Sequence, residues 1–385
     1  MLSKKLNKSE NKIIRFFVLV KKELATILAD KQALAIVFIL PLVAIFAVGA
    51  TGTGMGPDGD PLDSLTAGRY LILGAVNEDT SDNAANVSMS EEFLRILGEQ
   101  PDTTLIHFPN ESAAEQELYY ENIMGYVVMR DGFHFNVSAH LPGLVEFFAD
   151  SLNILAQPLI AKKVNDAIID FKAEFELTED ELLYETVDLY AIDSPLFISL
   201  PMIVVITLIA SGLMLACQSI VGDNPINRVA LTPAGKFEIL CSKVLAYTTL
   251  HMLQGLFLLI PSMIAFNVTF LANFFSVWGF LVFPSFAGVC YGMFFSSIAK
   301  TKLQGSQFFL VGFMTTFILG VGMFLPEGTL EQFFPVVPAM DGMLKLAYKD
   351  LPFIYIWPTI WPQLVFGLVF FSMAWIVLKI KKGAI

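Results

Sequence analysis

The chain has 385 residues, of which 55% are hydrophobic and only 16% charged, with a formal net charge of −12. A soluble domain carries roughly 25% charged residues, so these values and a mean hydropathy of +0.64 exclude an ordinary soluble protein and place the chain in the membrane class. The acidic balance excludes nucleic acid as a partner.

Residues 1–31 open the chain with Ile13, Phe16, Phe17, Val20, Leu24, Ile27 and Leu28 at helical spacing. Lys12, Arg15, Lys22 and Glu23 lie off that stripe. The pattern predicts an amphipathic helix whose basic face suits an anionic inner leaflet. The apolar run 33–50 follows, within a first transmembrane segment at 32–50. It reads as an uncleaved anchor, because the preceding segment is long for a signal peptide.

Residues 51–195 form a polar stretch with 27 acidic and six basic residues, counted over 51–194. Its start, rich in Gly, Asp and Pro, reads as a linker. Segments 70–76, 104–108, 123–129 and 133–138 read as strands. Segments 91–97, 113–121 and 144 to about 175 read as helices. Strands alternating with helices predict a small α/β domain, inserted between the first and second spans and lying outside the cytoplasm. Cys217, Cys241 and Cys290 all fall in or beside apolar runs, so this domain has no disulfide framework.

Five further apolar runs occupy 196–385: residues 196–220, 244–266, 276–298, 308–325 and 357–378. Each has about the 20 residues that a spanning helix needs. Pro41, Pro201, Pro261 and Pro284 lie inside runs, where neighbouring helices re-satisfy the freed carbonyls. Residues 1–31, 221–243, 299–307 and 379–385 hold 16 of the 24 Lys and Arg residues. Positive residues mark the cytoplasmic side, so both termini are expected there, consistent with an even number of spans. The fold class expected is a membrane all-α protein: six transmembrane helices, an N-terminal interfacial helix and the inserted domain.

No Walker loop, HExxH or GxSxG is present, so no catalytic, cofactor or metal site is signalled. The middles of the six runs carry no Asp, Glu, Lys or Arg, whereas gradient-driven transporters usually need an ionisable group there. Milder polar residues are present: Ser211 and Gln218 in the second run, His251 and Gln254 in the third. They are candidates for a substrate pathway, against the plainer reading of hydrogen bonds between helices.

Three features together resemble one family. Residues 21–42 run Lys-Lys-Glu, then Ala-Asp-Lys, then an apolar stretch with Pro41. In the loop 223–245, Arg228, Leu231, Thr232, Pro233, Lys236, Glu238, Ile239, Leu240 and Lys243 fall in a second pattern. The third is one span, a large outer domain, then five spans, with short outer helices at 326–355. This resembles type 2 ABC exporter permeases, in particular their sodium-efflux and drug-export branch. Where many members carry a Glu-rich cluster before the Arg, this chain keeps only Asp223.

The resemblance implies a transmembrane permease subunit that exports substrate while a separate ABC ATPase binds ATP and Mg. It implies pairing with a second permease, as homodimer or heterodimer. It also implies ATPase contact through Glu23 and Asp30 on the first helix, and through Asp223, Arg228, Thr232 and Pro233 in the coupling loop 221–243. Thr232 and Pro233 suit a helix start, Thr as cap and Pro at the first position. The alternative is a membrane-anchored, non-transporting sensor or scaffold displaying the outer domain.

Overall fold

The computed structural model describes residues 2–51, 71–81, 88–150, 156–178, 182–189, 196, 199–221, 235–320 and 333–380. The chain divides into two units, residues 56–193 and the remainder.

The first unit is built on a five-stranded mixed sheet of order β2-β1-β3-β4-β5. Strand β1 (Leu71–Asn77) lies parallel to both β2 (Thr103–Phe108) and β3 (Gly125–Met129). Strand β4 (Gly143–Asp150) runs antiparallel to β3 and parallel to β5 (Leu182–Leu189). Four helices connect them: α3 (Met89–Glu99), α4 (Glu111–Tyr119), α5 (Phe133–Ser138) and α6 (Ala156–Phe175). Ser88 and Asn110 cap α3 and α4 by accepting hydrogen bonds from the N–H groups of Glu91 and Ala113. One sheet face buries Leu73, Val127 and Phe147 against Phe93, Ile160 and Phe171. The other buries Val76, Val128 and Tyr126 against Ala114 and Leu118. Tyr126 stacks on Phe148 at 4.7 Å.

Two readings of this stretch need correction. Residues 133–138 were expected as a strand because Phe133, Phe135 and Val137 alternate; they form α5. Phe133 and Val137 are also one helical turn apart, and they are the buried pair, whereas Phe135 is 62% exposed. The helix expected from 144 is strand β4 first. Val145, Phe147, Phe148 and Ala149 are buried on the two faces of the sheet, which a centrally placed strand requires. Strand β5, an edge strand rich in acidic residues, had no predicted counterpart.

The second unit is helical. Helix α1 (Leu2–Ala29) is followed by α2 (Lys31–Thr51), and segments Ile13–Ala29 and Leu34–Ala47 meet at 83°. Asp30 makes the corner. Its N–H donates to the carbonyl of Ile27 and its carbonyl accepts from Leu34, so the turn leaves these backbone groups paired. Next come α7 (Ser199–Ser219), α8 (Lys236–Phe266), α9 (Phe274–Phe280), α10 (Val282–Ile298), α11 (Lys302–Gly320), α12 (Val336–Lys349) and α13 (Phe353–Ile380).

Helices α7 and α10 approach closely because their facing residues are small. A Cβ added at Gly288 would stand 2.7 Å from the carbonyl oxygen of Ile209, and one at Gly292 would stand 2.6 Å from that of Leu213. Such contacts drive helix association where lipid removes the hydrophobic effect. Tyr291 of α10 packs on Phe366 and Phe370 of α13. Phe38 and Phe46 of α2 meet Phe257 and Phe266 of α8.

Among the described residues four helical segments are long and apolar enough to cross a membrane: α7, α8, the α9–α10 pair and α13. The bent α1–α2 pair makes up to five, where six were expected. The remaining expected run, 308–325, falls in α11 only as far as Gly320, and residues 321–325 lie outside the described residues. The first turns of α11 carry Lys302, Gln304, Ser306 and Gln307. That leaves a described apolar run shorter than the roughly 20 residues a span needs.

Candidate functional site

Polar groups in the helical unit gather in two places. The first lies where α7 ends and α8 begins. Helix α1 has two apolar faces. Val20 and Ile27 are buried, while Ile14, Phe17, Val18 and Leu28 are more than half exposed. Glu23 sits on the buried face, one turn from Val20 and one from Ile27, although its charge suggested a polar-face position.

The carboxylate of Glu23 is satisfied by two lysines. Lys243 Nζ lies 2.8 Å from Oε2 and Lys22 Nζ lies 2.9 Å from Oε1. The Glu23 and Lys243 side chains are 5% and 2% exposed. Lys243 Nζ also donates to the backbone carbonyl of Ser219, at 3.1 Å. Ser219 is the last residue of α7, where helix carbonyls lack intrahelical donors and a cation is favourable. Two turns before Glu23, Arg15 makes a bidentate pair with Glu238 at 2.8 and 2.6 Å, the geometry that makes Arg–carboxylate pairs strong.

The second place is halfway along the helices. Gln254 of α8 accepts from Ser211 Oγ at 2.9 Å and donates through Nε2 to the carbonyl of Val37 at 2.7 Å. Val37 stands four residues before Pro41, which has no N–H, so this carbonyl has lost its helical donor. Gln254 replaces it, joining α2, α7 and α8. His251 contributes Nδ1, 2.6 Å from the carbonyl of Tyr247, and its buried Nε2 meets no hydrogen-bond partner among the described residues.

Of the residues singled out by sequence, Ser211 and Gln254 are thus brought together, with His251 one turn from Gln254. Gln218 stands apart, donating to Ser306 at 3.1 Å. Glu23 is buried in the ion pair, whereas Asp30 is exposed at the corner. Asp223, Arg228, Thr232 and Pro233 lie outside the described residues. Sequence reasoning placed Arg15 on the basic face of the first helix, counted Glu238 and Lys243 only as matches to the family pattern, and did not single out Ser219. Lys243 carried a usable signal, since it sits one residue before an apolar run of spanning length.

The sheet unit holds a polar turn at the carboxyl ends of β1 and β3. Asp79 accepts from the N–H groups of Ser81, Gly132 and His134 and from Ser81 Oγ. Burial works to raise its pKa, but the hydrogen bonds from Ser81, His134 and Gly132 outweigh burial and hold it below the ordinary value. Arg130 pairs with Glu78, Glu111 and Glu146. Among the described residues no cluster of His, Cys, Asp or Glu has metal-binding geometry.

Apolar helices of spanning length, paired through small residues and joined by hydrogen bonds such as Ser211–Gln254, define a polytopic membrane protein. The model of a known family, described as ABC-2 family transporter protein, matches residues 31–376. The chain belongs to the ABC-2 transporter family and is a type 2 ABC permease. Members of this family are transmembrane subunits that normally work with an ABC ATPase partner. No curated protein matches the chain.

Proposed function

We propose that the chain is the permease subunit of an ATP-driven exporter of the sodium-efflux and drug-export branch. In this reading it spans the membrane six times, with both termini in the cytoplasm and the sheet domain on the outer side. Two permease chains pair, and separate ATPase subunits carry ATP and Mg. The loop 221–243 and helix α1 receive the ATPase, with Asp223, Arg228, Thr232 and Pro233 as the loop contacts. Substrate enters from the cytoplasm or inner leaflet and leaves outward, past the Ser211–Gln254–His251 group.

The observation that carries this reading is the family match over residues 31–376. Charge placement supports it. In the described helices of spanning length, Lys236, Glu238, Lys243 and Lys379 stand near helix ends, and the middles are uncharged, as suits a transporter powered from outside the membrane.

Purification of the tagged chain from native membranes in mild detergent tests this. An ABC ATPase should co-purify in stoichiometric amount, and ATP hydrolysis should be confined to the complex. A chain that purifies alone and carries sodium or dye down an ion gradient would contradict the reading. For sidedness, Glu115→Cys should be labelled from outside intact cells and Lys300→Cys should not.

A further inference from the structure

The ion pair between Glu23 and Lys243 has a placement that burial alone does not explain. Removing two charges from water costs several kcal/mol per ion, and apolar residues would fill the same space between α1 and α8. What charges add is direction. A buried, hydrogen-bonded ion pair has one partnered geometry, and in some proteins such groups fix register and oligomeric state. Lys243 Nζ is shared between the Glu23 carboxylate and the terminal carbonyl of α7. One atom therefore ties three helices, α1, α7 and α8. Two of these, α7 and α8, are the ends from which the segment 222–234 leaves and to which it returns. Arg15 and Glu238 add a second fixed point between α1 and α8.

We propose that Glu23 and Lys243 form a latch that joins helix α1, the last turn of α7 and the first turns of α8 into one rigid body. Glu23 and Lys243 are then positioning residues. Any displacement of one of these helices moves α1, α7 and α8 together, and α2 follows α1 through the Asp30 corner. A flexible attachment of α1 would lose the displacement before it reached the first span. The role in transmitting ATPase motion rests on the function proposed above; the rigidity of the latch does not.

The test uses the full chain in lipid nanodiscs with Cys217, Cys241 and Cys290 changed to alanine. Spin labels are placed at Thr26→Cys on α1 and Leu245→Cys on α8, both exposed positions. The native pair should give one narrow distance distribution. In Glu23→Met/Lys243→Met no buried charge is left without a partner, so the chain should still fold. The distribution should broaden at least twofold. A width equal to that of the native pair would overturn the latch.

A second arm needs no mutation of the pair. In the complex with its ATPase, trapping with ATP and vanadate should leave the Thr26–Leu245 distance unchanged. A shift of that distance on trapping would equally overturn the proposal. If no ATPase complex forms, the permease reading fails, and the first arm still decides the latch.

Discussion

The two units of this chain treat charge in opposite ways. On the sheet unit Arg130 serves three carboxylates, and Arg95 contacts Glu92, Glu99 and Glu174, with every partner at least 19% exposed. Water shares these interactions, so each is replaceable. In the helical unit Glu23 and Lys243 are sealed off, at 5% and 2% exposed. The contrast teaches that the Glu23–Lys243 pair is held in place by helix packing, while the arginine-centred pairs of the sheet unit are shared with water.

The largest effect should come from breaking the sealed pair on one side. Lys243→Met leaves the buried Glu23 carboxylate with the partly exposed Lys22 as its remaining partner among the described residues, a change that costs up to about 3–5 kcal/mol, the cost of a buried charge left wholly unpaired. Folded yield and thermal stability in detergent should fall sharply. Arg95→Ala in the sheet unit should change neither. Equal effects at the two sites would erase the contrast.

Next in size is the α7–α10 contact. Gly292→Leu forces a side chain into the carbonyl of Leu213, with an overpacking cost of about 1–3 kcal/mol or more. Gly235→Leu, with nothing within 4 Å of an added Cβ, serves as the control. Size-exclusion profiles and melting temperatures of the two variants should separate clearly.

Within the sheet unit, Asp79→Ala leaves three N–H groups without their acceptor, each costing about 1–3 kcal/mol where burial is complete. Its folded pKa is depressed. The stability it contributes is therefore present above the ordinary carboxyl value of 3.8 and is lost as pH falls through its folded value. Pepsin cleavage between residues 77 and 90 should rise as pH falls below about 4, while Asp79→Ala should be cleaved readily at every pH where pepsin works.

The smallest effect sharpens the comparison most. Gln254→Leu should cost about 0.6–1.7 kcal/mol, the usual range for hydrogen bonds between membrane helices. Pro41→Ala restores the helical donor to Val37, so in that background Gln254→Leu should cost measurably less. Full additivity of the two changes, read by denaturant or thermal melts, would show that Gln254 does not serve the Val37 carbonyl.

Much of this architecture was legible in the chain. Four apolar runs end within a few residues of α7, α8, α10 and α13, because twenty apolar residues in lipid have one hydrogen-bonded solution, the helix. Strands β1, β2 and β3 were read to within two residues from β-branched and aromatic content. The error at residues 133–138 arose because Phe133 and Val137 satisfy both a period of two and a helical turn. Asp79 settles the matter from 53 and 55 residues away by holding the N–H groups of Gly132 and His134. The Gln254–Val37 bond was half legible. Pro41 announced a free carbonyl, and nothing in the sequence said which helix supplied the donor. Glu23 was seen as charged and therefore placed outward, since its partner lies 220 residues away.

The proposed export draws its energy from a separate ATPase, and reconstitution tests that most directly. Proteoliposomes holding the chain together with its co-purified ATPase should move sodium or a lipophilic cationic dye only when ATP and Mg are supplied. They should stop when the ATPase carries a Walker Lys→Ala change. Transport of the same strength by the chain alone, driven by an ion gradient and indifferent to ATP, would contradict it.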